Sequence, residues 1–214
     1  MNVEPEDADE GLMLAYAAGD ASAFTRLYDR HERAVHRFFR RQSIGAEEAD
    51  DLLQNTWMAV VRNASSYAPE AKFTTWLYTI ARSKLVDHWR ATRRHMALAL
   101  DAANDPDDVE DHDASNLLER IAAGESVRPD VQAMSREYAN AFLAAVEALP
   151  IAQREAFLLH VEGGVSLEAI AAITSVGIET AKSRVRYAMK RLRAACAVWL
   201  QPHVSNIQAA GDET

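Results

Sequence analysis

The chain has 214 residues, of which 49% are hydrophobic and 26% charged, and a net charge of −9, a composition that excludes collagen-like and broadly disordered polymers. Its one cysteine excludes a disulfide framework and a multi-cysteine zinc site. No apolar run approaches the roughly 20 residues that a membrane span needs. The acidic start, residues 1–10, has neither the basic flank nor the apolar stretch of a signal peptide, so a cytoplasmic protein is expected.

The net charge conceals a segregation. Residues 1–20 carry six acids and no Lys or Arg, whereas residues 21–95 carry 13 basic and 8 acidic residues. Residues 96–130 hold 10 acids against 2 bases, and residues 131–200 return to 8 bases against 6 acids. Such alternation marks acidic tails and linkers around basic binding modules.

In chain order, Asp20 is placed to cap a helix on which Phe24, Leu27, Tyr28, Val35, Phe38 and Phe39 keep helical spacing, with arginines between them. Gly45 ends that pattern. A second helix carries Ala49, Leu52, Leu53, Thr56, Val60 and Val61 on one stripe, followed by a polar turn at residues 63–69. A third helix starts near Lys72, repeats Phe73, Trp76, Leu77, Ile80, Ala81 and Leu85 at i, i+3, i+4, and ends at Arg90 to Arg94. Residues 101–113 contain seven acids and almost nothing to bury, so a flexible, self-repelling linker is expected there, with a short helix over 114–123.

A second helical block begins near Pro129. Ala141, Phe142, Ala145, Val146 and Leu149 make one amphipathic helix, closed by Pro150, and Ala156, Phe157, Leu159 and His160 belong to the next. Gly163 and Gly164 stop it. Ser166 caps a short helix to Ile173, a turn runs from Thr174 to Gly177, and a long helix extends from Glu179 to about Trp199. No alternating strand pattern stands out, so the fold class is all-α, in two small helical domains.

Three stretches carry chemistry. Residues 166–193 have the pattern of a helix-turn-helix. Ala171 and Ala172 are small where helices must approach, and Ile173, Val176, Ile178 and Val185 pin the turn. Its second helix has six Lys and Arg, at 182, 184, 186, 190, 191 and 193, against the single acid Glu179, and Thr180, Lys182, Ser183, Arg184 and Tyr187 lie early enough to face a major groove. The bland alternative is a solvated basic helix in an ordinary bundle. In residues 73–90, aromatics interleave with polar and basic residues, a combination that stacks bases and holds the phosphates of a separated strand. Trp76, Leu77 and Ile80 fit a core equally well, while Tyr78, Arg82, Lys84, His88 and Arg90 fall off the apolar stripe. Residues 49–58 place acids and an amide beside apolar side chains, as a protein-protein face does; taken by themselves, they are better explained as an amphipathic helix within its own domain.

Enzymatic constellations are poor. His31 and His36 are five apart, not the i, i+4 of a helical metal pair, and are read as isolated surface histidines. Cys196 is read as a packing residue. No phosphate-binding glycine loop, nucleophile elbow or calcium loop is present, so no metal, no cofactor and no catalytic residue is expected.

Over residues 12–94 and 130–197 these motifs together resemble the bacterial RNA polymerase sigma factors, in their small extracytoplasmic-function group. The carrying segments are Phe24-Thr-Arg-Leu-Tyr28, Asp51-Leu-Leu-Gln-Asn-Thr-Trp57, Phe73-Thr-Thr-Trp-Leu-Tyr-Thr-Ile-Ala-Arg82 with Asp87 and Arg90, Leu149-Pro150 with Arg154 and Phe157, and Thr180-Ala-Lys-Ser-Arg-Val-Arg186. Asn55 stands where many members carry Glu, and Ser83 where Asn is frequent. The resemblance implies a division into an acidic segment (1–11), a region-two domain (12–95), an acidic linker (96–129), a region-four domain (130–199) and a tail (200–214).

It also implies partners: core RNA polymerase, through its largest-subunit coiled-coil and its flap; promoter DNA; and an anti-sigma factor. Asp51, Leu52, Gln54, Asn55 and Trp57 would dock on the coiled-coil. Asn63, Ser65, Ser66, Tyr67, Phe73, Thr75, Trp76, Tyr78, Arg82, Lys84, Asp87, His88 and Arg90 would open and hold the minus-ten element. One base would flip into a pocket on the 63–72 loop. Thr180, Lys182, Ser183, Arg184, Arg186, Tyr187 and Lys190 would read the minus-35 element. The competing reading is a two-domain helix-turn-helix regulator that binds its operator without core polymerase.

Overall fold

The computed structural model describes residues 8–102 and 129–197. Of the expected acidic linker over 96–129, residues 96–102 continue helix and residue 129 begins the next one, while residues 103–128 with the 114–123 helix, the first seven residues and residues 198–214 lie outside the described residues.

Among the described residues, regular structure is helical throughout. The first domain contains α1 (Asp9–Ala17), α2 (Ala21–Arg40), α3 (Ala46–Arg62), a single 3-10 turn (Ala64–Ser66) and α4 (Phe73–Ala102). The second contains α5 (Pro129–Glu147), α6 (Ile151–Val161), α7 (Leu167–Thr174) and α8 (Ile178–Ala195). No helix among the described residues is long and apolar enough to cross a membrane.

Local side-chain caps start two of the helices, α2 and α7. The Asp20 carboxylate accepts from the Ser22 N–H at 2.9 Å and from its hydroxyl at 2.7 Å, which starts α2. Those same bonds hold the Asp20 carboxyl below its usual range. Between α1 and α2, Gly19 sits at φ +108, a conformation that side chains rarely adopt. Ser166 caps α7 by accepting from the Ala169 N–H at 3.2 Å.

Three boundaries differ from the sequence-based expectation. Helix α1 carries no start signal in the sequence, because its N-cap is Ala8, which offers no side-chain cap. Its Leu12 and Met13 are buried, so the acids Asp9 and Glu10 belong to the first domain's fold. Helix α4 continues past Arg94 to Ala102, over a run of Met, Ala and Leu that favours helix. Helix α8 ends at Ala195, four residues before Trp199.

The buried side chains form one continuous cluster that crosses between the domains. In the first, Leu27, Val35, Phe38 and Phe39 of α2 meet Ala49, Leu52, Trp57 and Val60 of α3 and Phe73, Leu77, Ala81 and Leu85 of α4. In the second, Phe157, Leu158 and Leu159 of α6 pack with Ile170 and Ile173 of α7 against Ala181, Val185, Ala188 and Leu192 of α8. Cys196 is buried, as a packing residue.

Ion pairs tie the domains together. Glu162, just after α6, accepts from Arg37 Nε at 2.8 Å and from Arg41, and Glu155 accepts from Arg82 Nε at 2.9 Å. Arg154 donates to the Ser43 hydroxyl at 2.5 Å and to the Glu147 carbonyl at 3.0 Å. Gly163 lies so near Tyr78 that an added Cβ would stand 3.0 Å from its Cε2 and 2.7 Å from the Leu159 carbonyl oxygen.

Candidate polymerase-docking and nucleic-acid interfaces

A row of residues four apart on α3 (Leu52, Thr56, Val60), with Ala49, faces inward and is buried. The outward side leaves Asp51, Gln54 and Asn55 exposed, with Met58 48% and Val61 43% exposed. Gln54, Met58 and Val61, together with Phe24, Tyr28, Asp50, Leu53, Trp57 and Arg62, line an open groove of about 560 Å³. Trp57 is its floor: Phe24 meets the indole edge-on at 5.7 Å, and the Tyr28 ring lies tilted to it at 5.1 Å. The indole Nε1 is buried without a hydrogen-bond partner.

This geometry corrects the candidate docking set. Leu52 lies in the domain's own core and cannot reach a partner, because it sits on the buried row. Trp57 is 5% exposed and supports the groove instead of projecting from it. Met58, Val61 and Leu53, which are absent from the docking set that the resemblance implies, supply the apolar surface. Leu53 and Val61 each follow a member of the buried row by one position, which is the available signal for them, whereas Met58 lies on the side of α3 opposite that row.

The candidate minus-ten residues separate into three groups. Asn63, Ser65 and Ser66 are exposed on the loop after α3, and Thr75, Trp76, Lys84 and His88 are half-buried. Asp87 and Arg90 are exposed, 3.7 Å apart. Phe73, Tyr67 and Tyr78 are buried and are corrected from contact residues to core. The Tyr67 ring packs edge-on against Trp76 at 5.0 Å and Phe73 at 6.3 Å. Burial first, and the Glu10 and Asp9 carboxylates next, push the Tyr67 hydroxyl up to about 12.

Tyr78 meets Phe38 at 5.4 Å, ring planes perpendicular, and its hydroxyl is driven well above the usual phenol range, mainly by burial. It does fall off the α4 stripe, but α2 and the second domain cover that flank. Arg82, expected to be free for DNA, is held by Glu155. The histidines expected at the surface both face aspartates: His31 Nε2 is 2.8 Å from Asp9, and His36 Nε2 is 2.9 Å from Asp50.

In the second domain the turn between α7 and α8 is a Schellman closure. The Val176 N–H donates to the Ala171 carbonyl at 3.0 Å and the Ser175 N–H to that of Ala172 at 3.2 Å. Ser175 occupies the left-handed position, φ 55, where glycine is usual. Ala171 and Ile173 are buried in the closure, while Ala172 is exposed and therefore is not a packing contact. On α8, Ala181, Val185, Ala188 and Leu192 form the inward row.

The opposite side exposes Thr180, Lys182, Arg186, Tyr187 and Lys190, with Ser183 and Arg184 half-buried at its edge. Lys182 pairs with Glu179 at 2.8 Å, a bond that raises its ammonium pKa. The Arg186 guanidinium lies 5.2 Å from the Tyr187 ring centre, so cation and ring present one surface. The candidate minus-35 residues thus share one side of α8, in helical register.

Each of the two helical domains matches a known family. Residues 27–95 match the Sigma-70 region 2 family, and residues 139–192 match Sigma-70 region 4. The chain is 30% identical over 187 residues to the ECF RNA polymerase sigma factor SigM of Mycobacterium tuberculosis, covering 87% of this chain and 84% of that protein. It is 30% identical over 194 residues to the ECF sigma factor SigE of Mycolicibacterium smegmatis, covering 89% and 69%. The solved sigma factor RpoE in complex with the anti-sigma factor NepR, from Bartonella quintana, matches with a TM-score of 0.58 and 28% identity over 83% of this chain and 99% of that one. A regulator acting without core polymerase is not favoured by these relatives. The chain belongs to the extracytoplasmic-function RNA polymerase sigma factors of the sigma-70 family.

Proposed function

We propose that the chain works as a promoter-specificity subunit whose two domains make three separate contacts. The groove on α3 takes an apolar helical surface of core polymerase, with Met58, Val61 and Leu53 as the buried contact and Asp51, Gln54 and Asn55 as the polar rim. The 63–72 loop and the outer side of α4, from Ser65 and Ser66 through Trp76 to Lys84, His88 and Arg90, hold the separated minus-ten strand. Early residues of α8 read the minus-35 element as duplex, and later cations hold its phosphates.

The observation that carries this reading is the pairing of an exposed cationic side on the helix-turn-helix with an exposed apolar groove on the other domain. The chemistry of RNA synthesis is the polymerase's, so no catalytic step is assigned to this chain, and its place is the cytoplasm where that polymerase works. The relative bound to NepR supports an anti-sigma protein as a further partner.

The test is in vitro transcription with purified core polymerase, with and without the protein, on fragments that include the region upstream of its own gene. Initiation requiring both components is the expected result. No initiation, together with tight fragment binding by the protein alone, would overturn the reading.

A further inference from the structure

The acidic start of α1 has no part in the interfaces above, yet it reaches the strand-holding helix. Glu10 Oε1 accepts from the backbone N–H of Phe73 at 2.7 Å, across 63 positions of sequence. Phe73 opens α4, and its N–H is among the amides that a helix cannot satisfy internally. The residues just before it, Glu70-Ala71-Lys72, supply no Ser, Thr, Asp or Asn to cap the helix locally. The cap therefore comes from another element.

Helix α1 is itself anchored for this task. Asp9, the preceding residue, accepts from Arg30 Nη1 at 2.5 Å and bonds His31 Nε2 at 2.8 Å, both on α2. The His31 ring in turn lies 5.4 Å from the Phe73 ring. Asp9 and Glu10 also form one wall of an open cleft whose other walls include Pro69, Glu70, Lys72 and Thr74. The loop that precedes α4 is thus fastened at two points, by Tyr67 packed on Phe73 and Trp76 and by Glu10 on the first amide of the helix.

We infer that Glu10 is a positioning residue for promoter strand capture. It touches no DNA and acts through Phe73, fixing the first turn of α4 and hence the shape of the 67–72 segment beside it. The inference rests on the assignment of this loop and helix to the minus-ten strand. A loop that must receive an unstacked base loses affinity when its end can fray, because ordering it must then be done at the moment of binding.

The experiment compares the full-length protein with Glu10→Ala and Glu10→Gln, each assembled with core polymerase. Three quantities are measured: core affinity, unfolding temperature, and affinity of the holoenzyme for a non-template-strand oligonucleotide from the promoter found by transcription. Loss of a helix cap corresponds to about a 3- to 30-fold change in an equilibrium. Glu10→Ala is expected to weaken strand capture by that factor at unchanged core affinity. Glu10→Gln keeps an amide oxygen at the same reach and is expected to recover most of it.

Unchanged capture by Glu10→Ala would overturn the inference. So would a parallel fall in capture, core affinity and unfolding temperature that Glu10→Gln does not relieve, since that is loss of fold alone. If the unsubstituted protein itself gives no initiation and no capture, the parent assignment fails and this inference falls with it. Normal initiation and capture by the unsubstituted protein, with capture unchanged in Glu10→Ala, refutes this inference alone and leaves the parent assignment standing.

Discussion

Replacing Glu162 by Gln tests what holds the two domains together. The Glu162 side chain is 6% exposed and binds two guanidiniums, Arg41 at 15% exposure and Arg37 at 47%. Removing one partner of a buried pair costs about 3–5 kcal/mol, because the remaining charge is left uncompensated. Here the half-exposed Arg37 regains water, which discounts its share to that of a surface pair. In the open chain both arginines are hydrated. The association of the domains should therefore weaken by about 2–3 kcal/mol, or about 25- to 150-fold in the closed-to-open ratio. Energy transfer between dyes on Ser65→Cys and Glu179→Cys, in a Cys196→Ala background, reports the separation. The expected result is a shift to longer distance on Glu162→Gln, reproduced in the unsubstituted pair of labels by high salt, with helix content unchanged by circular dichroism. Opening also releases Glu155 from Arg82, so the free protein should bind single-stranded DNA more tightly. An unchanged distance distribution would refute the claim that these ion pairs set the closure.

Met58→Ala should weaken binding to core polymerase in a co-purification assay while leaving unfolding temperature nearly unchanged, whereas Leu52→Ala should cost about 2–5 kcal/mol of stability, as core truncations do. Lys182→Ala and Arg184→Ala should each weaken minus-35-dependent transcription by about 1–3 kcal/mol, the worth of one side chain's hydrogen bonds to a base edge, against unchanged output from a promoter that lacks that element. Ser175→Gly should raise stability in chemical denaturation by up to about 1 kcal/mol, because it relieves a left-handed non-glycine residue at the end of α7. Burial would raise the Asp9 carboxyl, but the bonds from His31 and Arg30 outweigh it and hold the folded-state pKa below 3.8. A depressed carboxylate stabilises the fold above its unfolded pKa and loses that contribution as pH falls through the folded value. Denaturation curves of the Asp9→Asn variant should therefore lose less stability than those of the unsubstituted chain between pH 5 and pH 2, about the window expected for a paired aspartate.

Sequence alone determined the capped start of the helix-turn-helix and every described helix but α1, because each is written in neighbours no more than four residues apart. Asp20 and Ser166 cap where their positions imply, and the cations of α8 lie on the side opposite its small and aliphatic residues. Only tertiary structure decided what covers the flank of each stripe. Successive helical residues are about 100° apart, so a residue beside an apolar row is exposed or buried according to what packs there. Val61 on α3, one position after the buried Val60, stays 43% exposed, whereas Tyr78 on α4 is closed over by Phe38 and the Gly163 turn. Arg82 reads as a free cation until Glu155 arrives from 73 positions away. Glu10 reads as part of an acidic tail until folding carries it to the first amide of α4. Periodicity measures a helix against its own axis, and these pairings depend on the placement of a second helix, which no local pattern encodes.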